Sequence, residues 1–299
     1  MIKSKVPILL LTFNRPDHTM RVLEVIKKYK PLKLFIANDG YRENVKGEKD
    51  KVIELREKMT QFVDWDCELE ILFSNKNLGC KIAVYNAVNW FFKHVDFGVI
   101  LEDDIIPNLE FFDFCNEMSS RYSANERVLS ICGYNPLPYL NIKDSYYFSK
   151  YFSSWGWATW SHKWFKIDLN FEGFKILDDK QLKTMYPSFI ERKIRLKKIR
   201  DSIKGNNNSW ASPWNFTHQL NNAYAIIPKV NQIKNIGFSN EFSTHTKENF
   251  IDKFFMDLVV KEISLPLIHT KKVKEKKVLT QYFTAKELTR ILLKKIFKK

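Results

Sequence analysis

The first 135 residues alternate between short apolar runs and longer segments that are polar or amphipathic with helical spacing. This alternation predicts strands at residues 6–12, 32–37, 69–73, 97–101 and 128–132, and helices at 16–29, 49–60, 82–93 and 111–121. Parallel neighbouring strands need a crossover connection, and a helix usually provides it. We therefore expect an α/β fold with a mostly parallel, Rossmann-like sheet flanked by helices.

The alternation stops near residue 135, and beyond it aromatic residues and short polar turns dominate. We expect three regions in the chain. Residues 1–135 form the sheet, residues 136–270 form a smaller, irregular region, and residues 271–299 form a basic tail.

The net charge of +15 is concentrated in two segments. Residues 180–204 hold 9 Lys and Arg against 2 acidic residues, and residues 271–299 hold 11 against 2. Two basic segments on a nearly neutral body indicate an anionic partner: a lipid surface, a phosphorylated substrate or nucleic acid. The chain shows no RNA-binding aromatic signature, zinc-finger spacing or helix-turn-helix, so nucleic acid is not the partner we expect.

The tail has the pattern of a basic amphipathic helix, with Leu288, Ile291, Leu292 and Ile296 at helical spacing among lysines. Such a helix suits an anionic membrane interface, and the alternative is a helix packed on the body. We find no apolar run long enough to cross a membrane and no signal-peptide core. The expected location is cytoplasmic and peripheral, on the inner face of the cell membrane.

Three adjacent carboxylates, Glu102, Asp103 and Asp104, follow the predicted strand at 97–101. Carboxylates this close repel one another, and oxygen ligands suit Mn²⁺ or Mg²⁺. Ligands of open α/β sheets bind beyond the carboxyl ends of the strands, where this triplet falls. The alternative is an acidic N-terminal cap of a helix.

Several motifs, taken in order, resemble those of GT-A glycosyltransferases, in particular bacterial family 2-like enzymes and N-acetylglucosaminyltransferase I. The resemblance spans residues 6 to about 246. Its motifs are Pro7–Pro16, Asn38–Gly40, Asn77–Lys81, Ile100–Asp104, Trp155–Trp160, Asn235–Phe238 and Ser243–Thr246.

The resemblance implies a metal-dependent, inverting transfer of a sugar from a nucleotide-diphospho-sugar, of the uridine type, to a hydroxyl of a saccharide or lipid-linked acceptor. Residues 1–135 would bind the donor, and residues 136–270 would bind the acceptor and close the site. The implied nucleotide and donor contacts are Thr12, Arg15, Asp39, Lys81, Glu102 and Asp103, with Asp39 accepting from the base imide nitrogen. Asp104 and His245 would bind Mn²⁺ or Mg²⁺.

The catalytic base is the point where the chain departs from the family. Relatives carry a carboxylate between two late tryptophans, whereas Ala211 stands at this position, between Trp210 and Trp214. An inverting transfer needs a base on the acceptor hydroxyl. Glu241 is a candidate for this base, and Asp178 and Asp179 are the other options. If no carboxylate reaches the site, a retaining mechanism or weak activity is expected.

The tryptophans allow two interpretations. Most are expected in the core, while Trp157 and Trp214 are candidates to stack on the acceptor sugar.

Two other functions fit parts of the pattern. A nucleotidyltransferase uses a similar sheet and Mg²⁺, but it usually has a Gly-rich basic loop after the first strand, which residues 12–15 lack. An inactive sugar- or membrane-binding relative would explain Ala211.

Overall fold

An eight-stranded mixed sheet forms the centre of the protein, with strand order β3-β2-β1-β4-β8-β6-β9-β7, beside a two-stranded ribbon of β5 and β10. The structure is a computed structural model that describes residues 5–137 and 142–237. The strands are β1 Ile8–Thr12, β2 Lys33–Asn38, β3 Glu68–Phe73, β4 Phe97–Glu102, β5 Ile105–Pro107, β6 Val128–Cys132, β7 Tyr146–Ser149, β8 Trp157–Trp160, β9 Tyr224–Pro228 and β10 Ile233–Asn235.

Helices connect the strands and cover both faces of the sheet. Within the described residues they are α1 Pro16–Tyr29, α2 Glu48–Phe62, α3 Cys80–Phe91, α4 Leu109–Tyr122, α5 Ser161–Trp164, α6 Glu172–Lys175, α7 Asp179–Met185, α8 Phe189–Ile203 and α9 Ala211–Leu220. Each helix and strand predicted within the first 135 residues is present, and the bounds differ by one or two residues.

Strands β3, β2, β1 and β4 pair in parallel, which confirms the predicted α/β fold. The chain moves outward from β1 to β2 and β3 on one side, and β4 then pairs with the other side of β1. The carboxyl ends of β1 and β4 therefore lie at a topological switch point, where a crevice opens for ligands.

The core has two layers because the central strands are covered on both faces. All five residues of β1 are buried: Ile8 and Leu10 pack with α1 and α4, and Leu9 and Leu11 pack with α3. A strand buried on both faces needs a continuous apolar run, which is why β1 reads as one in the sequence. Burial of each large side chain stabilises the fold by roughly 1.5–3 kcal/mol.

The region beyond residue 135 contributes to the same sheet. Strand β8 pairs antiparallel with β4 and β6, β9 pairs in parallel with β6, and β7 pairs antiparallel with β9. Within the described ranges, no helix separates β6, β7 and β8, so the alternation of strands and helices that predicts the first five strands is absent here. The assignment of residues 136–270 to the acceptor stays a prediction.

No helix among the described residues is both long enough and apolar enough to cross a bilayer. The predicted basic helix of residues 271–299 lies outside the described residues.

His218 is a buried titratable group beneath the sheet, on α9. Its Nδ1 lies 2.8 Å from the carbonyl oxygen of Trp214, and its Nε2 lies 2.9 Å from the hydroxyl of Ser130. Burial lowers the pKa of His218 from 6.5 to about 4.

We predict that this histidine makes the protein less stable in mild acid. Because the folded-state pKa lies below the unfolded value, protonation favours unfolding; its contribution is complete above pH 6.5 and is lost as pH falls toward 4. The free energy of unfolding should fall by up to about 1.4 kcal/mol per pH unit from this group. Urea unfolding of His218→Gln should show a shallower pH slope over this window, whereas His162→Gln, at an exposed histidine, should keep the wild-type slope. Equal slopes in all three proteins would contradict the assignment.

Candidate active site

Arg15 and the acidic triplet meet at the switch point between β1 and β4. Arg15 Nη1 lies 3.0 Å from Asp104 Oδ2 and 3.4 Å from Asp103 Oδ1. The side chains are largely shielded, with 16% of Arg15, 11% of Asp103 and 16% of Asp104 exposed. Two motifs almost 90 residues apart in the chain thus form one charged cluster.

The triplet has more negative charge than its surroundings compensate. Burial, and then the charges of the neighbouring carboxylates, raise the pKa of Glu102 to about 8 and that of Asp103 to about 7. Burial also raises the pKa of Asp104, while Arg15 opposes the shift. A further positive charge at this cluster would stabilise the ionised carboxylates.

Asp104 has the geometry of a ligand-binding carboxylate. Its Oδ2 accepts from Arg15, whereas its Oδ1 is buried and has no hydrogen-bond partner within residues 5–137 and 142–237. Its backbone carbonyl accepts from Ile236 N at 2.9 Å, and a Cβ on Gly237 would lie 2.1 Å from Oδ2. An unpartnered buried carboxylate oxygen is a fitting ligand for a divalent cation.

The described residues around Asp104 do not form a preformed metal cage. Within residues 5–137 and 142–237, no three His, Cys, Asp or Glu side chains are grouped to hold a metal ion. A cation bound to Asp104 would need its other ligands from a diphosphate, from water or from residues beyond 237. The predicted second ligand, His245, lies outside the described residues.

Thr12 belongs to a buried polar network at the ends of β1 and β2. Its hydroxyl donates to the carbonyl oxygen of Ala37 and accepts from the amide of Asn38, at 3.0 and 2.9 Å. Arg56, on α2, donates to Asn38 Oδ1 at 2.7 Å and to the carbonyl oxygen of Ser74 at 2.8 Å. This network fixes the ends of three adjacent strands.

Asp39 holds a loop together, which differs from its predicted role. Its Oδ1 accepts from the backbone N–H groups of Gly40 and Leu78, at 2.8 and 2.9 Å. Its Oδ2 accepts from Asn77 Nδ2 at 3.0 Å and from the N–H of Gly79 at 3.1 Å. A carboxylate has about four acceptor positions, and these four donors take them. Asp39 also lines the neighbouring cleft, and its role as an acceptor for a base imide stays a prediction.

A small cleft with a volume of about 40 Å³ opens beside this loop, between the ends of β1, β2 and β3 and the start of α3. It is lined by Thr12, Asn38, Asp39, Ser74 and Asn86, together with apolar side chains of the three strands and α3. Mostly apolar walls with a few polar groups are typical of small-molecule sites. Thr12, which lines the cleft, is the last residue of β1, and Arg15 lies in the turn that follows this strand.

Trp210 connects the triplet to the aromatic core. Its indole N–H donates to Glu102 Oε1 at 3.3 Å, and its ring stacks on that of Trp157 with centroids 5.3 Å apart. The following residue, Ala211, begins α9. The position where relatives carry a carboxylate is therefore next to a residue that contacts the triplet.

The sugar-stacking role predicted for Trp157 and Trp214 is wrong for the described conformation. Both side chains are fully buried, and Trp214 donates to the hydroxyl of Ser130 at 3.0 Å. A ring without an exposed face cannot stack on a sugar, so these tryptophans pack the core.

In the described part of the chain, Lys81 and Asp179 lie on elements other than those that carry this cluster. The ammonium of Lys81, on α3, lies 6.0 Å from the ring centroid of Phe171. Asp179 is exposed at the start of α7, a helix that packs on α8. Glu241 lies outside the described residues. The catalytic roles of Glu241 and Asp179 stay predictions.

Comparisons with known proteins give similarity only to solved structures. No protein-family model and no curated protein matches the chain. The mannosyltransferase PcManGT from Pyrobaculum calidifontis, in complex with GDP-Man and Mn²⁺, aligns over 72% of this chain and 73% of its own at 14% identity and TM-score 0.37. S. aureus TarS 1–349 aligns over 63% and 53% at 13% identity and TM-score 0.35.

A third structure, UDP-glucose pyrophosphorylase complexed with UDP-glucose, aligns over 77% of this chain and 91% of its own at 9% identity and TM-score 0.36. Likeness at this level supports no statement about donor, acceptor or reaction.

We predict that Asp39→Asn destabilises the folded protein. The amide has only one acceptor oxygen, without charge, and its NH₂ group would face an N–H donor. The free energy of unfolding should drop by about 1–3 kcal/mol, the range for hydrogen bonds to a charged group. Chemical denaturation measures it, with exposed Asp66→Asn as the matched control. Unchanged stability together with weaker nucleotide binding would restore the base-contact role.

We predict that Gly237→Ala weakens metal binding. The new Cβ would lie 2.1 Å from Asp104 Oδ2, so the carboxylate must move. Mn²⁺ affinity, measured by titration calorimetry, should fall about tenfold or more, as for other residues that orient a ligand. In an Asp104→Asn background the same change should have no further effect; an equal loss in both backgrounds would place the effect elsewhere.

Proposed function

We propose that the protein is a GT-A-type glycosyltransferase that moves a sugar from a nucleotide-diphospho-sugar to a hydroxyl of a saccharide or lipid-linked acceptor. The observation that carries the proposal is the pairing of Arg15 with Asp104, whose second carboxylate oxygen is buried and has no hydrogen-bond partner among the described residues. A guanidinium and a carboxylate at a switch point, beside a cleft, suit a diphosphate ligand and its cation.

In the proposed reaction, the acceptor oxygen bonds to the anomeric carbon and the bond from that carbon to the diphosphate oxygen breaks. The guanidinium of Arg15 donates to the departing diphosphate, where negative charge grows. Arg15 is already held in a shielded position by two carboxylates, so little reorganisation is needed. Thr12 and Asn38 shape the cleft on the nucleoside side.

Asp104 would hold Mn²⁺ or Mg²⁺, with His245 as the second protein ligand that the resemblance implies. When bound, such a cation supplies positive charge that stabilises the diphosphate as it leaves. Glu102 and Asp103 would contact the ribose, the sugar or bound water. Lys81 would lie near the donor.

The acceptor proton passes to a carboxylate base in an inverting transfer, and Glu241 or Asp179 would supply it. Ala211 cannot take this proton, although its position beside Trp210 is close to the triplet. If no base reaches the acceptor, the protein would bind the donor and hydrolyse it slowly. It would then be an inactive, sugar- or membrane-binding relative of these enzymes.

The proposed partners are the nucleotide-sugar, a glycan or lipid-linked acceptor, and an anionic membrane that residues 271–299 contact. The proposed location is the cytoplasmic face of the cell membrane, where such acceptors and donors meet.

We predict that Asp104→Asn cuts sugar transfer at least about tenfold, which corresponds to about 1.4 kcal/mol in the barrier. The substitution keeps the size of the side chain and removes the charge that binds the cation. Transfer is measured with excess Mn²⁺, and Asp50→Asn, at an exposed carboxylate on α2, serves as the control. Full activity in the variant, or in wild type with excess chelator, would sink the metal-dependent proposal.

We predict that UDP competes with the donor more strongly than GDP. The preference follows from the family resemblance, which implies that Asp39 accepts from the imide nitrogen of the base. Inhibition of Mn²⁺-dependent donor hydrolysis by the two nucleotides gives the comparison. Clearly tighter GDP inhibition would reverse the assignment. Nucleotide release only in the presence of pyrophosphate would indicate a nucleotidyltransferase.

A further inference from the structure

One face of α8 is exposed along its whole length and carries cations together with large apolar side chains. Successive helical residues are about 100° apart, so these positions fall within an arc of about 100°. We call this set the α8 stripe: Phe189, Ile190, Lys193, Lys197, Arg200 and Lys204, all of them exposed.

The opposite face of α8 fixes which way the stripe points. Glu191, Ile199 and Ser202 are buried, and Ile199 packs with Phe171 and Phe216 in a satellite core. The buried carboxylate of Glu191 accepts from the hydroxyl of Tyr151. Because this face is committed to packing, the α8 stripe faces solvent.

The stripe itself contains cations but no carboxylate. The nearest acidic residue along the helix is Asp201, at the edge of the stripe, and it pairs with Lys197. The surrounding segment, residues 180–204, has nine Lys and Arg against two acidic residues. The α8 stripe holds four of these cations, and a cationic face of this kind attracts an anionic surface.

The apolar members of the stripe set it apart from an ordinary solvated basic helix. Phe189 is 68% exposed and Ile190 is 43% exposed, side by side in the first turn. Ile176, just after α6, is 81% exposed. Exposed apolar side chains beside cations are typical of interaction surfaces.

We propose that the α8 stripe is a docking surface for an anionic lipid bilayer. The cations would meet lipid phosphates, and Phe189 and Ile190 would enter the region between headgroups and acyl chains, as on interfacial amphipathic helices. A bilayer offers both an anionic and an apolar layer to one helix face. Nucleic acid offers phosphates and flat bases, and isoleucine has no π face to stack on them. Docking by α8 requires no transferase activity, and it is separate from the tail.

The test uses the full-length chain and vesicles of phosphatidylcholine with or without phosphatidylglycerol. A charge variant carries Lys193→Gln, Lys197→Gln, Arg200→Gln and Lys204→Gln. An apolar variant carries Phe189→Ser and Ile190→Ser. The matched control removes the same number of exposed cations elsewhere, through Lys28→Gln, Lys46→Gln, Lys51→Gln and Lys93→Gln. Circular dichroism confirms that each variant is folded.

The charge variant should lose at least about tenfold in its partition onto anionic vesicles, since each cation near such a surface contributes on the order of 1 kcal/mol. The apolar variant should also lose vesicle binding but retain binding to soluble polyphosphate. The control should bind like wild type, and neutral vesicles should bind every protein weakly.

Three results would overturn the proposal. Wild-type vesicle binding by the charge variant would assign the interaction to residues outside α8. An equal loss of vesicle binding in the matched control would show that binding depends on the net charge of the protein and not on the α8 stripe. Unchanged vesicle binding by the apolar variant, with strong binding of an RNA oligomer through the same cations, would identify a nucleic-acid surface instead.

Discussion

The burial of three carboxylates around one guanidinium is the constraint on which the site depends. Charges shielded from water must be paired or neutralised, and Arg15 gives the triplet one positive charge against three negative ones. The start of helix α1 shows that the Arg15 side chain is not needed as a helix cap. Arg15 precedes α1 and makes no side-chain cap on it, and Pro16 in the first turn needs no N–H partner. The Arg15 side chain therefore pairs with the carboxylates and does not cap α1.

Much of the fold could be predicted because its signals are local. A buried strand such as β1 is a continuous apolar run, and α1 has Val22, Leu23 and Ile26 on one face. The place of the triplet followed from the rule that parallel strands end at a common edge. Strands β5 and β10 have three residues each and pair across more than a hundred positions, so no local pattern marks them.

The role of Asp39 could not be predicted, since its four donors include a loop about 38 residues later in the chain. Arg56 was not predicted as a site residue, although its position in the sequence indicates that it lies on the buried face of α2. It lies four residues after Val52 and three before Met59, both fully buried, and so faces the sheet. A cation on the buried face of a helix needs acceptors nearby, and the ends of β2 and β3 provide them.

The packing of β10 and the two residues after it completes the site, and these residues are synthesised late. Ile233 fills the space above Gly133 and Gly156, where a Cβ would lie 2.2 and 2.5 Å from it, and Ile236 bonds to the backbone of Asp104. The ribosome releases β1 and β4 long before these residues. During synthesis Asp104 therefore acquires its contacts with Ile236 and Gly237 only after the last described strand has emerged.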